Sequence, residues 1–160
     1  MVPGNPRSQC KTSEGVMETR CSLVTPASRL KVAAWLPADP AIVSHVRALT
    51  AAVLNDWGLS KFVFTTQLIV SELVTNAVLH APGSGARFRL AAGNTTLRCV
   101  VSDDSRSLPR VDHAQSDEDH GRGLLLVSEL ADRWGMRTTA TGKAVWAVQR
   151  IPARDVKSRA

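Results

Sequence analysis

The chain has 160 residues and a mass of 17.2 kDa, 44% apolar and 21% charged; that fits one domain with a buried core, and excludes a disordered chain. Its formal charge of +6 invites nucleic acid or an anionic membrane as partner. Yet residues 30–149 hold 12 Lys+Arg against 11 Asp+Glu, so the excess lies in the two ends and nucleic-acid binding is not expected. Cys10, Cys21 and Cys99 are odd in number and lack metal-ligand spacing, which argues against a disulfide scaffold or structural zinc. No apolar run approaches the ~20 residues of a membrane span and no secretory h-region is seen, so the expected location is the cytoplasm, with no membrane partner.

In chain order, residues 1–27 mix Pro, Gly, Ser and charges without periodicity and read as a flexible arm. A first strand is expected over Ser28–Leu36, ended by Pro37. Asp39 as N-cap, Pro40 in the first turn and apolar residues at helical spacing up to Gly58 predict a helix of about 18 residues. A second helix, capped by Ser60 and running to Ala81, is apolar almost all round and therefore buried. Beyond it the period changes to two: Phe88/Leu90/Ala92 and Leu97/Cys99/Val101 alternate about Gly93-Asn94-Thr95, predicting two antiparallel strands with Cys99 as a core residue. The polar stretch 104–120 is a candidate lid. Leu124–Asp132 follows as a short helix, then a hairpin of Arg133–Arg137 and Lys143–Ile151, and a basic tail over 152–160. The order predicts one α/β domain over 28–151, a two-layer sandwich whose mixed, mostly antiparallel sheet carries helices on one face.

Three features point to chemistry. Glu72, Asn76 and His80 recur every four residues and form one polar stripe on the second helix. A carboxylate on an otherwise apolar helix needs a cation, a metal or a catalytic use, though a solvated stripe against a loop has the same spacing. Asp103 ends an apolar strand, where a carboxylate can accept a hydrogen bond from an exocyclic amine. Gly121-Arg122-Gly123-Leu124 opens a helix, so backbone N–H groups can approach an anion closely and Arg122 can add a charge-assisted bond; a plain hinge is the alternative. Two familiar phosphate motifs are absent. Gly142-Lys143 is no P-loop, since Arg137 replaces the first glycine and Ala144 the metal-binding hydroxyl, and Leu126 stands where a dinucleotide fingerprint needs its third glycine.

Taken together, Ser71-Glu72-Leu73-Val74-Thr75-Asn76-Ala77-Val78-Leu79-His80-Ala81, Asp103, Gly121-Arg122-Gly123-Leu124 and Gly142-Lys143-Ala144-Val145-Trp146 resemble the anti-sigma-factor serine kinases of the RsbW and SpoIIAB type. These belong to the GHKL superfamily of ATPases, which share the Bergerat ATP-binding fold. The resemblance implies that Glu72 is the general base and that Asn76 coordinates Mg²⁺ bridging the phosphates of ATP, with His80 beside the nucleotide. It further implies that Asp103 binds the adenine amino group, that Gly121, Arg122, Gly123 and Leu124 cradle the phosphates beneath the 104–120 lid, and that Lys143 faces the nucleotide or is a solvated hairpin charge. The adenine box departs from its usual D-x-G-x-G. Here it is Asp103-Asp104-Ser105-Arg106-Ser107, with Ser105 and Ser107 at the glycine positions, and Ala144 stands near the place of a supporting Thr. The implied partners are a sigma factor and an anti-anti-sigma protein with a STAS-type fold, and a homodimer is one arrangement known among relatives. Three functions follow: a protein serine/threonine kinase, a non-catalytic partner-binding module, and the catalytic half of a split histidine kinase.

Overall fold

The computed structural model describes residues 30–81, 83–107 and 122–153. The expected N-terminal arm, most of the candidate lid, Gly121 and the end of the basic tail fall outside the described residues. Strand β1 spans Leu30–Leu36, and helix α1, Ile42–Asp56, starts later than the sequence predicts. Asp39 caps the preceding turn instead: its Oδ1 accepts from Ala41 N at 2.9 Å and its carbonyl from Ile42 N at 3.0 Å. The predicted stop holds. Gly58 has φ +70°, and the Gly58 N to Asn55 O and Leu59 N to Leu54 O bonds close a Schellman motif, which needs a left-handed residue at that place. Ser60 opens a single 3-10 turn, Ser60–Phe62, and not the helix proper; α2 is Val63–His80 and has no side-chain cap. Then come β2 (Ala86–Ala92), β3 (Thr96–Asp103), α3 (Arg122–Leu130), β4 (Arg133–Thr138) and β5 (Lys143–Arg150).

The five strands form one sheet in the order β1-β2-β3-β5-β4, and every pairing is antiparallel, the limit of the mostly antiparallel sheet expected. Alternation decides its two faces. Phe88, Leu90, Leu97, Cys99, Val101, Val145 and Ala147 point to one side and are buried there beneath the helices. Helix α2 lies between α1 and α3 and meets this face with Ile69, Val70, Leu73, Val74 and Ala77, each fully buried large side chain contributing about 1.5–3 kcal/mol. By length and mean hydropathy (1.5) the segment Ser60–His80 could also cross a bilayer; in this fold it is the central core helix.

One polar link fixes how α2 sits. Thr66 Oγ1 donates to Gln149 Oε1 at 2.7 Å, and Gln149 Nε2 donates to Thr65 Oγ1 at 3.0 Å, tying the first half of α2 to the end of β5. A buried amide satisfied on both sides selects one rotation and one register, because any other leaves it unpaired. The short connection from His80 to Ala86 then returns the chain to the sheet edge where Ala86 pairs with Asp103 and Asp103 with Lys143.

Candidate functional site

The polar stripe of α2 forms as expected, with Glu72, Asn76 and His80 each half-buried. The start of α3 closes against it. Gly123 abuts the Glu72 carboxyl so tightly that a Cβ added there would overlap Glu72 Oε2. Arg122 is exposed at the first position of α3, while the Leu124 side chain is buried in the core, so Leu124 offers the site its backbone alone. First-turn N–H groups lack acceptors within a helix and carry partial positive charge, which suits an anion at Arg122, Gly123 and Leu124. Burial nevertheless raises the Glu72 pKa above its ordinary value of 4.5, so desolvation outweighs any stabilisation of the charged form. One turn further on, Asn76 Nδ2 is buried without a hydrogen-bond partner. Such an atom costs about 1–3 kcal/mol unless a ligand uses the amide.

A second cluster lies at the strand ends. Asp103, last in β3, and Lys143, first in β5, are directly paired and point to the helix side of the sheet. Lys143 Nζ donates to Asp103 Oδ1 at 2.9 Å, and the two side chains are 1% and 2% exposed. Ser105 N donates to the same oxygen at 2.8 Å. Both bonds use Oδ1, and Oδ2 is the atom an exocyclic amine would meet. Lys143 is thus no solvated hairpin charge; it orients Asp103. The alternation of β5 carried that signal, since Lys143 shares a face with Val145 and Ala147 and a buried lysine needs a partner. The Thr65/Thr66/Gln149 link left no comparable trace.

The residues suit a magnesium nucleotide. Among the described residues no three His, Cys, Asp or Glu side chains gather to hold a metal; a single carboxamide oxygen beside a carboxylate matches Mg²⁺, a hard ion that takes its remaining ligands from water and substrate phosphates. The glycine at the α3 start lets the helix backbone lie directly against the Glu72 carboxyl. A fully antiparallel sheet covered on one face by three helices, with a Glu/Asn stripe facing a helix start and an aspartate at a strand end, defines an ATP-binding domain of the GHKL type. Residues 36–149 match the histidine kinase-like ATPase domain, and the chain belongs to that family. Comparison with curated proteins found no match. The family makes ATP the ligand and an ATP-binding regulatory role the function.

Proposed function

We propose that the protein is a cytoplasmic serine/threonine kinase of a partner-switching system, which holds a sigma factor and phosphorylates a STAS-type antagonist. The observation that carries this reading is the Glu72 carboxyl, half-buried, raised in pKa and held against the first turn of α3 one helical turn from the unbonded Asn76 amide. Desolvation raises the proton affinity of this carboxylate, which makes it a better acceptor for the hydroxyl proton. In the reaction the acceptor hydroxyl oxygen forms a bond to the γ-phosphorus of ATP, the bond to the bridging oxygen of ADP breaks, and Glu72 Oε takes the hydroxyl proton. Arg122 and the first-turn N–H groups of α3 hold phosphate charge, Asp103 Oδ2 accepts from the adenine amino group, and Asn76 is the residue that would hold Mg²⁺, which would neutralise phosphate charge when bound.

Labelled ATP supplied with a cognate antagonist should label its Ser or Thr, and Glu72→Ala should abolish transfer while most nucleotide binding remains. Undiminished transfer by Glu72→Ala would falsify the assignment of the base. A second reading, a binding module without catalysis, is favoured by one observation: serines at both adenine-box glycine positions, with Asp103 Oδ1 already engaged by Lys143 and Ser105. Calorimetry with Mg-ATP separates the two. Absence of heat and of thermal stabilisation decides for the module.

A further inference from the structure

The face of the sheet opposite the helices has a charge pattern that the ATP site does not use. Asp103 is the one acidic residue of the five strands, and it points to the helix side. The open side carries Lys31 on β1, Arg87 and Arg89 on β2, Arg98 on β3, and Arg133 and Arg137 on β4. Arg150, beside them at the end of β5, is already paired with Asp132 at 3.1 Å. Six of the 12 cations of residues 30–149 therefore share one surface, and the near-neutral balance of that region conceals a segregation of charge. Lys31, Arg87, Arg89, Arg98 and Arg137 form no ion pair among the described residues. Arg98 lies 5.8 Å over the Trp146 ring with its Nε buried and unbonded, and desolvation followed by the fields of Arg137 and Arg89 lowers its pKa. Between the cations are Ala33, Ala91, Val100, Ala144, Trp146 and Val148, and Trp35 is 62% exposed at one corner.

We propose that this open sheet face is the docking surface for an acidic segment of a partner protein, with carboxylates meeting Arg87, Arg89, Arg98 and Arg137 around an apolar centre. The composition selects a protein as occupant. Interfaces between proteins are rich in Arg and Trp and poor in Lys, with an apolar core inside a polar rim, and this face has four arginines without an ion pair among the described residues to one such lysine around such a core. A surface for single-stranded nucleic acid needs a row of aromatic faces free for stacking, but the central Trp146 ring is covered by Arg98 and lies against Gly135, and among the described strand residues of this face only Trp35, at the corner, offers an exposed ring. A second copy docked symmetrically would set cations against cations. The inference is independent of catalysis, because none of these residues belongs to the nucleotide site.

The full-length protein is titrated with a synthetic peptide of alternating Glu and Leu, with its Lys/Leu counterpart and with oligo-dT, following intrinsic Trp fluorescence. The Glu/Leu peptide is expected to bind saturably, and the Lys/Leu peptide not at all. Arg87→Glu/Arg89→Glu/Arg137→Glu should weaken the Glu/Leu complex by about tenfold or more with Mg-ATP affinity unchanged. These three side chains are exposed; should the triple variant still fail to fold, Arg137→Glu and Arg87→Glu are read singly for a smaller loss in the same direction. Failure of the Glu/Leu peptide to bind, equal binding by parent and variants, or tighter binding of oligo-dT overturns the proposal. So does a dimer in sedimentation that the same substitutions dissolve, which assigns the face to a second copy.

Discussion

Glu72 is placed so that one physical cause has two measurable results. Burial disfavours its charged form, so the folded state binds the proton more tightly than the unfolded chain does. The stabilising contribution of the protonated carboxyl is complete below the unfolded pKa of 4.5 and is lost as pH rises through the higher folded value. Glu72→Gln keeps the shape of the protonated group and should therefore raise the thermal midpoint at neutral pH, with the difference vanishing below about pH 4. Melting curves across this range check it; identical midpoints at neutral pH would show that the carboxylate is not destabilised by the fold. In the parent protein the acid limb of phosphotransfer should lie above the usual carboxylate range. Lys143 and Asp103 behave in the opposite way, as partners that protect each other. Removing one side of a buried ion pair costs about 3–5 kcal/mol, and removing both costs less because no charge is left uncompensated. Lys143→Met should lower the unfolding free energy by about 3 kcal/mol in denaturant titrations, and Asp103→Asn added to it should restore part of the loss. Strictly additive losses would mean that the two side chains do not stabilise each other. At Cys99 burial pushes the thiol up to about 12, in keeping with the core role its alternating apolar strand suggests.

The elements show what a sequence exposes and what it hides. The order of the eight strands and helices, the change of period after α2 and the Gly58 stop were legible because each depends on neighbours in sequence. The starts of α1 and α2 were misplaced by two or three residues, since Asp39 and Ser60 are good capping residues that serve the preceding turns here. The candidate site was legible in its parts. The Glu72-Asn76-His80 stripe follows from helical spacing, and Asp103 from its place at a strand end. That Gly123 touches Glu72, or that Lys143 reaches Asp103, depends on how α3 and β5 dock, which no local period encodes. Contact between helices makes its own prediction. Gly123→Ala puts a methyl group into the volume of Glu72 Oε2, and the flexible carboxyl can move where the helix backbone cannot. Phosphotransfer should therefore fall by tenfold or more, about 1.4 kcal/mol in the barrier, while the far-ultraviolet circular dichroism stays that of the parent. Unchanged transfer would show that the base tolerates displacement from the α3 start.

At the scale of the whole molecule, the two faces of the sheet divide the work. The helix side holds the core and the candidate nucleotide site, and the open side collects Lys31, Arg87, Arg89, Arg98 and Arg137 without an ion pair among the described residues. The net charge of the sequence could not reveal this, because a sum over residues 30–149 does not say which face of the sheet each charge occupies. Only the pairing register places Arg89 diagonal to Arg98 and brings Arg137 within the field of the same guanidinium. Adjacent strands lie about 4.8 Å apart and same-face residues along a strand about 6.8 Å. These separations are shorter than the Debye length of about 10 Å at 0.1 M salt. The repulsion consequently acts in the folded state at low ionic strength and is relaxed when unfolding separates the strands. Added sodium chloride should raise the thermal midpoint between low salt and about 0.5 M, opposite to the trend for a fold held by exposed ion pairs. Arg89→Gln/Arg137→Gln removes two of the fields acting on Arg98, so the variant should start from a higher midpoint at low salt and respond less to the same addition. A salt response as steep in the variant as in the parent would place the effect elsewhere, in general salting of apolar surface. Chloride against sulfate at matched ionic strength separates the two causes, because screening depends on ionic strength alone.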